Sequence, residues 1–223
     1  MNIGLFVISL ILGLSSVILM YKYLGKTGLL LWVALATVVS NIQTVKLISV
    51  FGLETAVGNI LYGSVFLATD ILNLKYGEKA AKKSILVGFI AMVMMTVFMT
   101  ICLIYKPSPN DFANESLKTI FTVNIRITIA SIFGFIVSQY MDAKLFHKLQ
   151  KKYKKLWLSN NASTIVCQLL DTIIFITITY LGLVDIKTLL MLMLTMYIFK
   201  VIVAILDTPF IYISSKIKPK KEF

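Results

Sequence analysis

The chain has 223 residues, of which 58% are hydrophobic and only 14% are charged, and its formal net charge is +12. Its mean hydropathy of +0.89 is higher than a soluble domain of this length requires. The apolar residues also come in blocks long enough to cross a bilayer core. Together these features exclude an ordinary soluble domain and favour an integral membrane protein.

Seven apolar blocks are predicted as membrane-spanning helices. A helix rises 1.5 Å per residue, so about 20 residues cross the roughly 30 Å of hydrocarbon. The blocks lack the polar–apolar alternation that is typical of a transmembrane strand. In chain order the predicted spans are 3–21, 27–46, 56–76, 80–105, 116–146, 156–182 and 187–215. The sequence therefore predicts an all-α, polytopic helical bundle that forms one domain over residues 1–223.

Lysines are concentrated in alternate connections between these spans and in the basic tail, residues 216–223. They are Lys22 and Lys26, then Lys75, Lys79, Lys82 and Lys83, then Lys148, Lys151, Lys152, Lys154 and Lys155, and finally Lys216, Lys218, Lys220 and Lys221. Because basic connections stay in the cytoplasm, the pattern places the N-terminus outside and the C-terminus inside. The positive charge is thus explained by topology, and no nucleic-acid partner is expected.

Recognisable catalytic and metal-binding motifs do not occur in the sequence. It has no cysteine–histidine cluster, no phosphate-binding glycine-rich loop and no HExxH motif. We therefore expect neither an enzyme nor a metal or cofactor site. An intramembrane enzyme and a purely structural membrane scaffold are the less favoured interpretations.

Polar and charged side chains nevertheless interrupt the predicted spans. Each ionisable group costs about 3 kcal/mol at the bilayer centre and usually faces the bundle interior. By depth, Asn41, Arg126, Asp171 and Lys200 form a central-to-outer layer, whereas Asp70, Asp142 and Asp207 form an inner layer. Such groups can simply hold helices together, at about 0.6 kcal/mol apiece. Two polar layers along one axis favour a transport pathway over that alternative.

A glutamine precedes an aspartate by three residues in two neighbouring spans. The pairs are Gln139 with Asp142 and Gln168 with Asp171. Residues three apart project from one helix face, so each pair places an amide beside a carboxylate. Arg126 is expected to find a spanning carboxylate as its partner. Asp171 is the best candidate by depth, with Lys200 competing for the same charge.

Four ordered motifs carry a family resemblance over about residues 28–213. SNIQTVK at 40–46, FLATDILNLKYG at 66–77, RITIASIFGFIVSQYMD at 126–142 and LWLSNNASTIVCQLLDTIIF at 156–175 resemble the queuosine precursor transporter family, within the vitamin uptake transporters. Leu74, Ser159 and Cys167 depart from the residues that are common there. The resemblance implies a six-helix core, residues 27–215, similar to the substrate-binding subunits of energy-coupling-factor transporters. Residues 1–26 would then be an additional helix.

The function implied by this resemblance is import of a queuosine precursor through the bacterial inner membrane for tRNA modification. The candidates are 7-cyano-7-deazaguanine, 7-aminomethyl-7-deazaguanine and the queuine base. The alternative is a substrate-binding subunit that depends on a separate energy-coupling ATPase module. The expected substrate-binding residues are Asn41, Asp70, Arg126, Gln139, Gln168, Asp171 and Lys200. The expected partners are a deazapurine and the lipid bilayer, and a homo-oligomer is left open.

Overall fold

The first helix, α1 (Asn2–Gln43), turns back on itself at Gly25. Gly25 has φ 56° and ψ −135°, a conformation that glycine adopts without a steric penalty. A Cβ atom on Gly28 would lie 2.2 Å from the carbonyl oxygen of Met20, although eight residues of straight helix span about 12 Å. The turn therefore divides α1 into two packed segments, in agreement with the predicted boundary between the first two spans.

The computed structural model describes residues 2–50, 53–121, 125–182 and 184–220, without the side chains of residues 47, 53, 54 and 125–128. After α1 the chain forms an antiparallel hairpin, β1 (Leu47–Val50) and β2 (Leu53–Ala56), in which Ile48 pairs with Thr55. The sequence analysis missed this hairpin and extended the flanking spans to residues 46 and 56. Strands of four residues are too short to give a clear alternation signal.

Helix α2 (Gly58–Tyr76) occupies the centre of the bundle, and every residue from 63 to 73 on it is buried. Helix α1 packs along it, and α3, α5, α7 and α8 also contact it. Close approach to α7 depends on Gly63, where a Cβ atom would lie 2.1 Å from Val203 Cγ1. Because α2 is enclosed on all sides, its polar side chains contact protein instead of lipid.

The remaining helices complete the bundle. They are α3 (Glu78–Ile104), α4 (Asn114–Phe121), α5 (Ile125–Tyr153), α6 (Leu156–Tyr180), α7 (Ile186–Leu206) and α8 (Thr208–Lys216). The predicted fifth span, 116–146, covers most of α4, which has no buried residue, and much of α5; residues 122–124 lie outside the described part of the chain, so its start at residue 116 stays a prediction. Asp111 starts α4 by accepting hydrogen bonds from the backbone N–H groups of Ala113 and Asn114, at 2.9 and 3.0 Å.

Four helical stretches in the described part of the chain are long and apolar enough to cross a membrane. They are Asn2–Gln43, which the turn at Gly25 divides, Glu78–Ile104, Leu156–Tyr180 and Ile186–Lys216. Helices α2 and α5 fall outside this set because they carry much of the buried polar content. The architecture is that of a polytopic helical membrane protein, as predicted.

The two ends of the described chain lie at opposite ends of the bundle. The Asn2 side chain donates to the backbone oxygen of Ser49 in the hairpin. At the other end of the first helical segment, the backbone N–H of Lys220 donates to the backbone oxygen of Lys22. This arrangement is what an odd number of spans requires. Which end faces the cytoplasm stays a prediction.

Candidate functional site

A cleft opens into the bundle beside the hairpin, and the centre of a water-sized molecule can reach about 50 Å³ of it. It is lined by the end of the second α1 segment, the start of α2 and inward-facing residues of α3, α5, α6 and α7. The lining residues are Thr37, Ser40, Asn41, Thr44, Gly58, Asn59, Tyr62, Met92, Ser131, Phe135, Asp171, Phe175 and Lys200.

An ion pair between α6 and α7 forms the charged part of this cleft. Lys200 Nζ donates to Asp171 Oδ2, and the two side chains are only 3% and 9% exposed. The Lys200 ammonium also lies 5.9 Å from the ring centroid of Tyr62, which is within the range of a cation–π contact. Of the two partners expected for Asp171, the structure therefore shows Lys200.

The second oxygen of Asp171 has weaker partners. Tyr62 Oη and Ser138 Oγ lie 3.5 and 3.4 Å from Asp171 Oδ1, at the outer limit of hydrogen bonding. Gly134 makes room for this oxygen, because a Cβ atom there would lie 2.7 Å from it. Asp171 Oδ1 thus keeps capacity to accept stronger hydrogen bonds from a ligand.

Aromatic side chains supply the apolar part of the cleft. Phe135 on α5 is buried and lies against Tyr62, with ring centroids 6.3 Å apart, and Phe175 on α6 lines the same space. Amide and hydroxyl groups from Asn41, Asn59 and Ser40 surround the opening. A planar, polar heteroaromatic molecule matches this combination of flat apolar surfaces and hydrogen-bonding groups.

The inner carboxylates form a second cluster, separate from the cleft. Asp70, Asp142 and Asp207 are fully buried, and none of them lines the cleft. Thr164 Oγ1 lies 3.5 Å from Asp70 Oδ2, and Asn160 Nδ2 donates to Asp207 Oδ1 at 2.6 Å. The two layers expected from depth are therefore two distinct sites, and Asp70 belongs to the inner one.

Three further residues expected at the site do not line the cleft or are not described. Gln139 is buried between α2 and α5, where its Oε1 accepts a hydrogen bond from Thr69 at 3.2 Å. Gln168 is buried on α6 and is not among the residues that line the cleft. Residue Arg126 belongs to α5, but its side chain lies outside the described part of the chain. Its predicted partnership with a carboxylate stays a prediction.

Several lining residues escaped the sequence analysis. Tyr62, Asn59 and Phe175 are neither charged nor part of an amide–carboxylate pair, so the search for buried charge did not select them. Tyr62 carries a weak signal: it is a polar aromatic residue directly before Gly63 and Ser64 of α2. Nothing in the local sequence of Phe175 distinguishes it from lipid-facing phenylalanines.

Comparison with known proteins bears on this arrangement. A family described as "Putative vitamin uptake transporter" matches residues 56–214, well over half of the chain. The chain belongs to this family. The match covers α2 through most of α8, and so includes Asp171, Lys200 and the inner carboxylates. The resemblance found in the sequence motifs is confirmed.

Curated relatives within the family carry consistent names. "Probable queuosine precursor transporter" of Bacillus subtilis (strain 168) is 36% identical over 92% of this chain and 91% of its own length. "Queuosine precursor transporter" of Escherichia coli (strain K12) is 26% identical over 71% of this chain and 70% of its own. No solved structure matches. Neither the family nor these relatives favour the alternative of a subunit that needs a separate ATPase module.

Proposed function

We propose that the protein imports a queuosine precursor through the cell's inner membrane for tRNA modification. The candidates are 7-cyano-7-deazaguanine, 7-aminomethyl-7-deazaguanine and the queuine base. The observation that carries the proposal is the buried Asp171–Lys200 pair in an aromatic-lined cleft. The names of the curated relatives support the substrate class.

The ion pair matches the hydrogen-bonding edge of a deazaguanine. That edge presents a ring N–H and an exocyclic NH2, which one carboxylate accepts together, next to a carbonyl that accepts from an ammonium. Asp171 and Lys200 supply these two groups from adjacent helices. In the observed conformation they bind each other, so the ligand would insert between them and replace one charge-assisted contact with several.

The balance of charge in the cleft favours an uncharged ligand. Among the described lining residues Asp171 is the sole carboxylate, and Lys200 neutralises it. A cationic aminomethyl substituent would find no second anion there, and desolvating an unpaired cation is costly. We therefore expect the nitrile compound to bind more tightly than the aminomethyl compound.

Access to the cleft is from the hairpin end of the bundle. The lining residues Thr44, Gly58 and Asn59 flank the two strands. The lysine distribution assigns this end to the outside, with the N-terminus, and the basic tail to the cytoplasm. The observed conformation would thus receive the precursor from outside, while the buried inner cluster closes the cytoplasmic end.

Calorimetric binding to the purified protein tests the proposal. The three deazaguanines are titrated against the wild type, Asp171→Asn and Asp185→Asn. Asp171→Asn keeps the shape of the side chain but replaces the anion with an amide whose NH2 faces the ligand's own donors. This mismatch should weaken binding by roughly 2–3 kcal/mol, or about a hundredfold.

Asp185→Asn is the matched control, because it is the same chemical change at an exposed residue outside the cleft. It should bind like the wild type. Thermal unfolding of each variant separates lost binding from lost folding. If none of the three compounds binds the wild type, the proposed substrate class is wrong. If Asp171→Asn binds within a few-fold of the wild type, Asp171 does not contact the ligand.

A further inference from the structure

The proposed binding of a deazaguanine does not use the inner cluster of carboxyl groups. Asp70 is eight residues beyond Tyr62 on α2, which places it about 12 Å further along the helix than the cleft. Asp142 comes from α5, and Asp207 lies at the junction between α7 and α8. All three are fully buried, and side chains of α6 reach two of them, Thr164 at Asp70 and Asn160 at Asp207.

Two of these carboxyl groups are neighbours. The Asp142 carboxyl lies beside that of Asp70. The nearby hydroxyl groups bond elsewhere, since Ser163 donates to the backbone oxygen of Asn160 and Thr164 lies against Asp70. Asp207 is close enough to act on both carboxyls through its charge. Like charges in contact inside a dry interior cannot all be ionised, because no solvent screens their repulsion.

The cluster contains more buried hydrogen-bond acceptors than donors. Five buried side-chain oxygens have no donor: Asp70 Oδ1, both carboxyl oxygens of Asp142, Asp207 Oδ2 and Asn160 Oδ1. The Asn160 side chain is fully buried beside the acids, and its Nδ2 donates to Asp207 while its Oδ1 has no partner. Its unpaired oxygen is an observation independent of the acids. Buried acceptors require donors, and the protein groups here do not provide enough of them.

No basic side chain compensates the cluster in the described part of the chain. The described salt bridges are Lys82–Glu78, Lys118–Glu115 and Lys200–Asp171. The other titratable group that faces the acids is the buried Cys167 thiol of α6. The nearest charged groups lie at the end of α2: Lys26 of α1 over the Tyr76 ring, Lys75 of α2 on the Ser215 carbonyl of α8, and the Glu78–Lys82 pair of α3.

We propose that Asp70 and Asp142, with Asp207 and Asn160 around them, form a proton-binding site that couples proton entry to uptake. A shared proton supplies the missing donor and removes one of the adjacent charges. A metal ion fits less well, because the described carboxylates, cysteines and histidines include no group of three that could hold one. The coupling to uptake rests on the proposed function, whereas the proton site does not.

Two helices connect this site to the cleft. Helix α7 carries Lys200 in the cleft and leads to Asp207 seven residues later, where the helix breaks before Pro209. Helix α6 carries Asp171 in the cleft and Asn160 and Thr164 in the inner cluster. A change in protonation at the inner cluster can therefore move both partners of the cleft ion pair through rigid elements.

Infrared difference spectroscopy of the purified protein tests the proton site without any substrate. The wild type at neutral pH should show the carbonyl stretch of a protonated carboxyl group, with a shift in heavy water. Asp142→Asn should lose this band, and Asp70→Asn is a second variant should the first fail to fold. Asp185→Asn should retain it. A wild type without the band, or an Asp142→Asn variant that keeps it, overturns the proposal.

Uptake into vesicles tests the coupling. The probe is radiolabelled 7-cyano-7-deazaguanine, which lacks an aminomethyl group that would itself titrate. For one proton per substrate, a gradient of about one pH unit, acidic outside, should support up to about tenfold accumulation. Asp142→Asn should carry the probe without accumulating it. Accumulation that ignores the proton gradient, or that follows a sodium gradient instead, overturns the coupling.

The two experiments fail in different ways. A protein that shows the infrared band but binds none of the three deazaguanines overturns the proposed function and supports the proton site. A protein that binds and carries the probe without the band overturns the proton site alone.

Discussion

Replacing Lys200 with methionine should destabilise the protein strongly. Methionine matches the length of the lysine stem but removes the one cation that the described residues place at the Asp171 carboxylate, which is only 9% exposed. Tyr62 and Ser138, at 3.5 and 3.4 Å, are too distant to compensate. Breaking a buried pair by removing one partner costs about 3–5 kcal/mol. For a chain of this length that corresponds to roughly 6–20 °C in Tm.

Removing both charges together should cost less than the sum of the single changes. In the variant Lys200→Met with Asp171→Asn, neither side chain is left stranded, so most of the penalty from each single change disappears. Contacting residues show interaction energies of about 0.5–3 kcal/mol. Because Asp171 lines an open cleft, water reduces the penalty, and we expect the lower half of the range for Lys200→Met.

Thermal unfolding of the purified protein in detergent measures these effects. Lys82→Met is the matched control, since Lys82 pairs with Glu78 at 2.5 Å but both side chains are about one third exposed, at 31% and 29%. Such a pair contributes at most about 1 kcal/mol. If the loss of Tm in the double variant equals the sum of the two single losses, the two charges are not coupled and the reasoning fails.

Three further predictions concern packing, acid sensitivity and topology. Gly63→Ala should cost about 1–3 kcal/mol in unfolding free energy, because the methyl group meets Val203, and the added change Val203→Ala should restore Tm. Hydrogen bonds from the Thr188 side chain and backbone hold the pKa of Asp185 below its ordinary value. Asp185 thus stabilises the fold above its unfolded-state pKa, and this contribution is lost as pH falls through the folded-state pKa. Asp185→Asn should flatten that acid limb of a Tm–pH curve, and an unchanged curve would contradict the cap. Reporter fusions should read outside at the N-terminus and cytoplasmic at the C-terminus; the same side for both would refute the span count.

The helical membrane architecture and the axial positions of its polar groups were available from the sequence. Apolar blocks of bilayer length predicted the helices, and the fixed rise per residue separated Asp171 and Lys200 from Asp70, Asp142 and Asp207. The structure keeps these as two separate sites. The hairpin was missed, because two four-residue strands between long apolar helices are too short to give a period of their own.

What the sequence could not decide was which side chains meet. Depth along a helix is one coordinate, and Lys200 and Arg126 were both compatible with Asp171 on that basis. The structure shows the contact with Lys200, because the packing of α7 on its neighbours, including the close approach of Val203 to Gly63, holds that side chain against α6; the Arg126 side chain lies outside the described part of the chain. Tyr62 and Phe175 enter the cleft for the same reason. Apolar periodicity determines that a helix crosses the membrane, whereas contacts with several neighbours at once determine which of its faces lines the cleft.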